Sequence, residues 1–157
     1  MSVAARVIGA VEDAVDRSAA ACFAVGAGHL DANGHVNNAV YLQWLREGQA
    51  RFFERAGRPV AALPGPGAGP AVVETRICYR SPLLPGERVA LRVWVQALRP
   101  ASAWLGFAFR VPGGPGVPGG PGGPEGRVVA EGRQRVAFLD AATGRPRRVL
   151  RPGPGDA

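Results

Sequence analysis

The sequence predicts an α+β fold in which a curved antiparallel sheet wraps around one long central helix. Three features carry this expectation. A single segment, Asn38 to Ala56, has a broad apolar stripe at helical spacing, four later segments alternate with period two, and short turn sequences join most of those segments. Strands joined by short turns run antiparallel, and a helix with one apolar stripe must bury it against a sheet.

In chain order, residues 3 to 20 read as a weak amphipathic helix, with Val7, Val11, Ala14 and Val15 at helical spacing. They form an N-terminal extension, residues 1–20, outside the main domain. Phe23, Val25, Ala27 and His29 alternate with small residues and predict a short strand from Phe23 to His29. The next stretch, "HLDANGHVNN" at 29 to 38, crowds two His, one Asp and three Asn into ten residues. The helix follows. Tyr41, Trp44, Leu45, Gly48 and Phe52 make its stripe, widened by Val40, Phe53 and Ala56, while Gln43, Arg46, Glu47, Glu54 and Arg55 take the other side. Gly57 suits a C-terminal cap and Pro59 prevents continuation. Gly48 in mid-helix is about 1 kcal/mol worse than Ala, so something packs tightly against that turn. Residues 58 to 70 read as a Pro/Gly loop.

The second half reads as strands. In "VVETRICYR", Val73, Thr75, Ile77 and Tyr79 alternate with polar residues, and "SPLLPGE" is a corner. Val89, Leu91, Val93 and Val95 form one inward row, Leu105, Phe107, Phe109 and Val111 another, and a last strand spans about Arg127 to Leu139 before the turn "DAATG". The low-complexity stretch at 112–126, "PGGPGVPGGPGGPEG", cannot hold a ladder and reads as a flexible hairpin insertion. The domain is therefore expected at 21–151, with a disordered tail at 152–157.

At 157 residues, 46% hydrophobic and 20% charged, the chain has the balance of one globular domain. It has no apolar run of membrane-spanning length and no signal-peptide pattern, which makes the cytoplasm the expected location and a membrane partner unexpected. Cys22 and Cys78 stand far apart in no metal-binding spacing and read as buried free thiols. The formal charge is +7, and all 19 basic residues are Arg. Such a field suits an anionic partner, although an Arg-only, Ala/Gly/Pro-rich chain is also what a GC-rich genome produces. The Arg residues are scattered along the chain, and the one cluster, "RPRRVLR" at 145 to 151, has no interleaved aromatics, so nucleic acid is not the expected partner.

The polar stretch is the candidate site. Asp-Ala-Asn-Gly is turn chemistry, and Asn37 or Asn38 suits an N-cap. A turn and a cap account for about two of these side chains. The remainder, with Asp31 and His35, stand beside a helix N-terminus whose unpaired N–H groups favour developing negative charge. A carboxylate there can act as nucleophile or as general base toward water, the chemistry of acyl transfer. His29, Asp31 and His35 could in principle supply metal ligands, but their spacing is not that of a helical pair and no further ligand stands near. No metal and no cofactor are expected. A Ser nucleophile lacks its GxSxG elbow.

The segment "LDANGHVNNAVYLQWLREGQARFF" resembles the first-strand-to-helix region of hotdog-fold thioesterases, acyl-CoA and acyl-ACP hydrolases of the 4-hydroxybenzoyl-CoA thioesterase-like branch, where D-x-x-G-H-V-N-N-x-x-Y is typical. "VVETRICYRSPLLPGERVALRVWV" is more weakly similar to that family's second and third strands. The resemblance implies a homodimer or homotetramer acting on an acyl-CoA or acyl-carrier-protein thioester, with its sites at the subunit interface. It implies Asp31 as the catalytic carboxylate and the Asn38 N–H as the group that polarises the thioester carbonyl. The D-x-N-x-H spacing of Asp31, Asn33 and His35 is also similar to plant-type acyl-ACP thioesterases, where all three side chains have catalytic or positioning roles. Tyr41, Trp44, Glu47 and Arg80 are expected around the substrate. Three positions depart from the family pattern: His29 replaces an acid, Gln49 stands where Arg is common, with Arg51 two residues later, and Gly48 replaces a usual Ala. A non-hydrolytic hotdog acyl-binding or accessory protein is the alternative.

Overall fold

A computed structural model describes residues 21–55, 67–113 and 126–148. The N-terminal extension, the cap expected at Gly57, most of the Pro/Gly insertion and the tail lie outside the described residues. The elements are β1 (Ala21–Ala24), a 3-10 turn (Ala27–His29), α1 (Asn38–Arg55), β2 (Ala68–Tyr79), β3 (Arg88–Arg99), β4 (Ser102–Val111) and β5 (Arg127–Asp140). All five strands form one antiparallel sheet in the order β1-β3-β4-β5-β2, curled around α1. This is the hotdog architecture.

The inward rows follow the alternation. Leu91 pairs with Phe109, Val93 with Phe107 and Val95 with Leu105, and Phe107, Phe109, Leu91 and Leu105 are all but fully buried. Against them α1 lays Tyr41, Trp44, Leu45 and Phe52. At Gly48 the helix comes so close to β3 that an added Cβ would stand 2.2 Å from the Leu91 side chain. The glycine is thus a packing requirement that outweighs its poor helix propensity. β4 and β5 pair out to Val111 and Arg127, so the strands do resume in register on either side of the insertion.

Three expectations need correction. The strand expected over Phe23–His29 ends at Ala24: the His29 N–H donates to the Gly26 carbonyl and the Gly26 N–H to His29 Nδ1, folding these small residues into the 3-10 turn. β2 begins at Ala68, inside the expected loop, and Pro70 is accommodated because β2 is an edge strand that leaves one row of N–H groups unpaired. Cys22 and Cys78 are exposed free thiols rather than buried ones, since each falls on the outward phase of its strand.

Candidate active site

The polar stretch folds as a miniature hairpin. Leu30 and Val36 form an antiparallel bridge, the Asn37 N–H donates to the His29 carbonyl at 2.8 Å, and the Asp31 N–H to the His35 carbonyl at 2.8 Å. Gly34 makes the reversal at φ 74°, a left-handed conformation that glycine adopts without strain. Asp31 closes the turn from within, its Oδ1 accepting from the Asn33 N–H at 2.8 Å and the His35 N–H at 3.3 Å. Among the described residues its Oδ2 accepts no hydrogen bond.

Two anchors orient this hairpin. The Val36 N–H donates to the Leu83 carbonyl at 3.1 Å, tying it to the 81–87 corner. Asn37 caps α1, with Oδ1 accepting from the Ala39 N–H and its carbonyl from the Val40 N–H, both at 2.9 Å. With Asn37 as cap, the Asn38 N–H is the first of the helix and has no acceptor among the described residues. The corner is itself held from inside. Arg127 donates to Ser81 Oγ (2.9 Å), the Pro82 carbonyl (2.7 Å) and Glu87 Oε1 (2.6 Å), and Glu87 accepts the Leu84 N–H at 2.8 Å.

Between hairpin, helix start and corner lies a cavity of about 320 Å³. Asp31, His35 and Val36 of the hairpin line it, with Asn38 and Tyr41 of α1, Tyr79 at the end of β2, and Arg80, Ser81, Pro82 and Leu83 leading into the corner. The Tyr79 hydroxyl donates to the Asn38 carbonyl at 3.2 Å, and its ring meets Tyr41 edge-on at 5.3 Å. Tyr41 is only 2% exposed, and burial, reinforced by Tyr79, pushes its phenol up to about 12. Burial raises the Tyr79 phenol as well. Both therefore stay neutral hydrogen-bond donors at ordinary pH.

Of the residues singled out in the sequence, the cavity gathers Asp31, His35, Asn38, Tyr41 and Arg80. The others lie elsewhere. Asn33 contributes its N–H to Asp31 while the residue itself is exposed. Trp44 is a core residue, stacked on Phe23 at 5.0 Å and met edge-on by His29 at 5.2 Å. Glu47 pairs with Arg51 on the exposed face of α1. Because its Nδ1 bonds Gly26 and its ring packs on Trp44, His29 is a structural residue. Among the described residues, no three His, Cys, Asp or Glu side chains converge as a metal site would need. Tyr79 and the Ser81–Leu83 wall were not singled out. The inward phase of Tyr79, two residues after Ile77, was the one signal available.

A carboxylate and a helix-start N–H without an acceptor among the described residues thus line one cavity, within a sheet curled around that helix: the site of a hotdog-fold protein. The thioesterase-like superfamily model matches residues 25–151, and the chain belongs to that family. Solved structures agree on the fold. YbaW, a thioesterase candidate from Escherichia coli, is 24% identical with a TM-score of 0.65, covering 82% of this chain and 88% of its own. PA2801, a thioesterase candidate from Pseudomonas aeruginosa, is 26% identical with a TM-score of 0.64 over the same shares, 82% and 88%. The DHNA-CoA thioesterase of Staphylococcus aureus is 14% identical with a TM-score of 0.69, covering 82% of this chain and 78% of its own. No curated protein matches the sequence. No helix among the described residues is long and apolar enough to cross a membrane.

Proposed function

We propose that this protein hydrolyses an acyl thioester carried on a phosphopantetheine arm, whether of CoA or of a carrier protein, with Asp31 as the reacting carboxylate. The observation that carries this reading is the pairing, across one cavity, of an uncommitted Asp31 Oδ2 with an uncommitted Asn38 N–H. The thioester carbonyl would accept from the Asn38 N–H, where the helix dipole favours the oxyanion that forms. Asp31 would then attack the carbonyl carbon directly or remove a proton from an attacking water. Collapse of the tetrahedral intermediate expels the thiolate, which is protonated on release; the water route leaves the free acid at once, whereas the direct route leaves an acyl–Asp31 anhydride that a water then hydrolyses to the free acid and the regenerated carboxylate. His35, which also lines the cavity, would orient the water or the leaving sulfur, and Arg80, another lining residue, would meet a phosphate of the arm. Asn33 would act through its N–H, which occupies Asp31 Oδ1 and leaves Oδ2 uncommitted.

The active form would be a homodimer joined through β2. This strand is a twelve-residue sheet edge with both faces largely exposed, including Val72 at 58% and Val73 at 47%. A long edge of that kind is normally covered or paired, and a second copy would extend the sheet.

The test is release of free thiol from a panel of acyl-CoA and acyl-carrier thioesters by the purified protein and by Asp31→Asn. Turnover by the wild type and its loss in the variant are expected. A wild type that hydrolyses nothing in the panel, or a variant as fast as the wild type, would overturn the assignment.

A further inference from the structure

Six of the arginines that look scattered in the sequence converge on one face. Cross-strand partners share a face, so the register fixes which side chains stand on the convex side of the sheet. One row there is Arg92, Ala108, Glu131 and Cys78, the next Trp94, Gly106, Arg133 and Arg76, and the next Ala97, Trp104, Arg135 and Glu74. Arg99 follows at one end and Arg80 adjoins at the other, its guanidinium bonded to Glu131 at 2.9 Å. Six arginines (76, 80, 92, 99, 133 and 135) thus face two acids, Glu74 and Glu131. Arg76 and Arg80 are ion-paired to those acids, but Arg92, Arg99 and Arg133 have no carboxylate partner among the described residues.

From this we infer that the convex face docks an acidic carrier protein, the donor of the acyl arm to the cavity described above; the inference rests on the thioesterase reading. The patch spans four strands, about 14 Å between the outer two, and runs about 23 Å along them at the usual strand and residue spacings. That footprint suits a small protein surface in a transient encounter, whereas a CoA nucleotide would engage two or three arginines at the rim. Continuity supports it, since Arg80 both lines the cavity and joins this face, so an arm from a partner seated there passes the cavity mouth. A second copy of this chain is a poor occupant, because it would set arginine against arginine. Single-stranded nucleic acid stacks on open aromatic planes, and here each ring is already engaged on one face by its neighbours. The Trp94 ring lies over Gly106, whose added Cβ would come within 2.3 Å of it, and the Arg133 and Arg135 guanidinium groups sit 4.8 and 5.8 Å from the Trp104 ring.

The test compares one acyl chain on an acidic bacterial acyl carrier protein, on CoA and on a short pantetheine thioester, using the full chain and Arg92→Glu/Arg133→Glu. Expected is a drop of tenfold or more in kcat/KM for the carrier substrate alone, mostly in KM, together with a steep salt dependence of the wild type on that substrate only. Arg92→Gln/Arg133→Gln, with its thermal melt, separates docking from folding: it should show an intermediate loss at an unchanged Tm. Equal losses on all three substrates, or none on the carrier, would overturn the proposal. So would wild-type binding of a single-stranded oligonucleotide, by fluorescence anisotropy, that is tighter than binding of the carrier and abolished in the charge-reversed variant. If no thioester is hydrolysed, saturable carrier binding that the charge reversal abolishes still supports docking, while the catalytic reading alone fails.

Discussion

On the proposed reading Asp31 has two roles, one for each oxygen, and variants can separate them. Oδ1 holds the turn through Asn33 and His35, and Oδ2, which accepts no hydrogen bond among the described residues, would act on the thioester. Asp31→Asn keeps an acceptor for the turn, so its melting temperature should stay near wild type while turnover falls by about 10² to 10⁴, the usual loss for a general base. Free-thiol assay beside thermal melting reads both. Tyr41 makes a prediction in pH. Its phenol is raised by burial to about 12 in the folded protein against 10.0 ordinarily, so the folded state holds its proton longer than the unfolded chain. The resulting contribution to stability is fully present below pH 10 and is lost as pH rises from 10 toward 12. Denaturant melts across that window should show a decline that Tyr41→Phe reduces. At this scale the sequence showed the turn, the cap and the carboxylate, because those are local chemistry. It also expected Trp44 at the substrate, and the structure puts that ring in the core, since helical periodicity shows which face is covered but not whether side chains or a cavity cover it.

Among the elements, α1 and β3 are matched through Gly48. Gly48→Ala should gain about 1 kcal/mol of helix propensity yet lose more through collision with the fully buried Leu91, as overpacking typically costs about 1 to 3 kcal/mol. The melting temperature should therefore fall, and in a Leu91→Ala background the same change should become neutral or stabilising, a coupling that a double-mutant cycle reads directly. The 81–87 corner depends on Arg127. Its pair with Glu87 is half-buried on both sides, and Arg127→Met removes three bonds that hold the cavity wall. A loss of about 2 kcal/mol is expected, read as a Tm lower by roughly 4 to 8 °C in a chain of this size. Strands β3, β4 and β5 were legible from alternation. The end of β1 and the start of β2 were not, because a 3-10 turn among small residues and a proline on a sheet edge are both tertiary accommodations of weak local signals.

For the whole molecule, the exposed β2 edge predicts a dimer in sedimentation at micromolar concentration. Val73→Asp should shift it to monomer and lower turnover with it, whereas a wild type that stays monomeric would leave the cavity complete within one chain. The charge of +7 belongs to this scale too. In sequence the arginines show no cluster with aromatics, but strand alternation and register sort six of them onto one side with Trp94 and Trp104.

By itself the sequence determined what depends on neighbours in the chain: the helix and its apolar stripe, the alternating strands, the Asp-Ala-Asn-Gly turn and the polar helix start. Tertiary structure alone decided which of these meet. Tyr79 and the Ser81–Leu83 wall share a cavity with Asp31 from about fifty residues away because the end of β2 and the corner after it come to the helix start, where Tyr79 bonds the Asn38 carbonyl and Leu83 accepts the Val36 N–H. Long-range pairing of that kind is set by how a curled sheet buries one helix, and no local spacing encodes it.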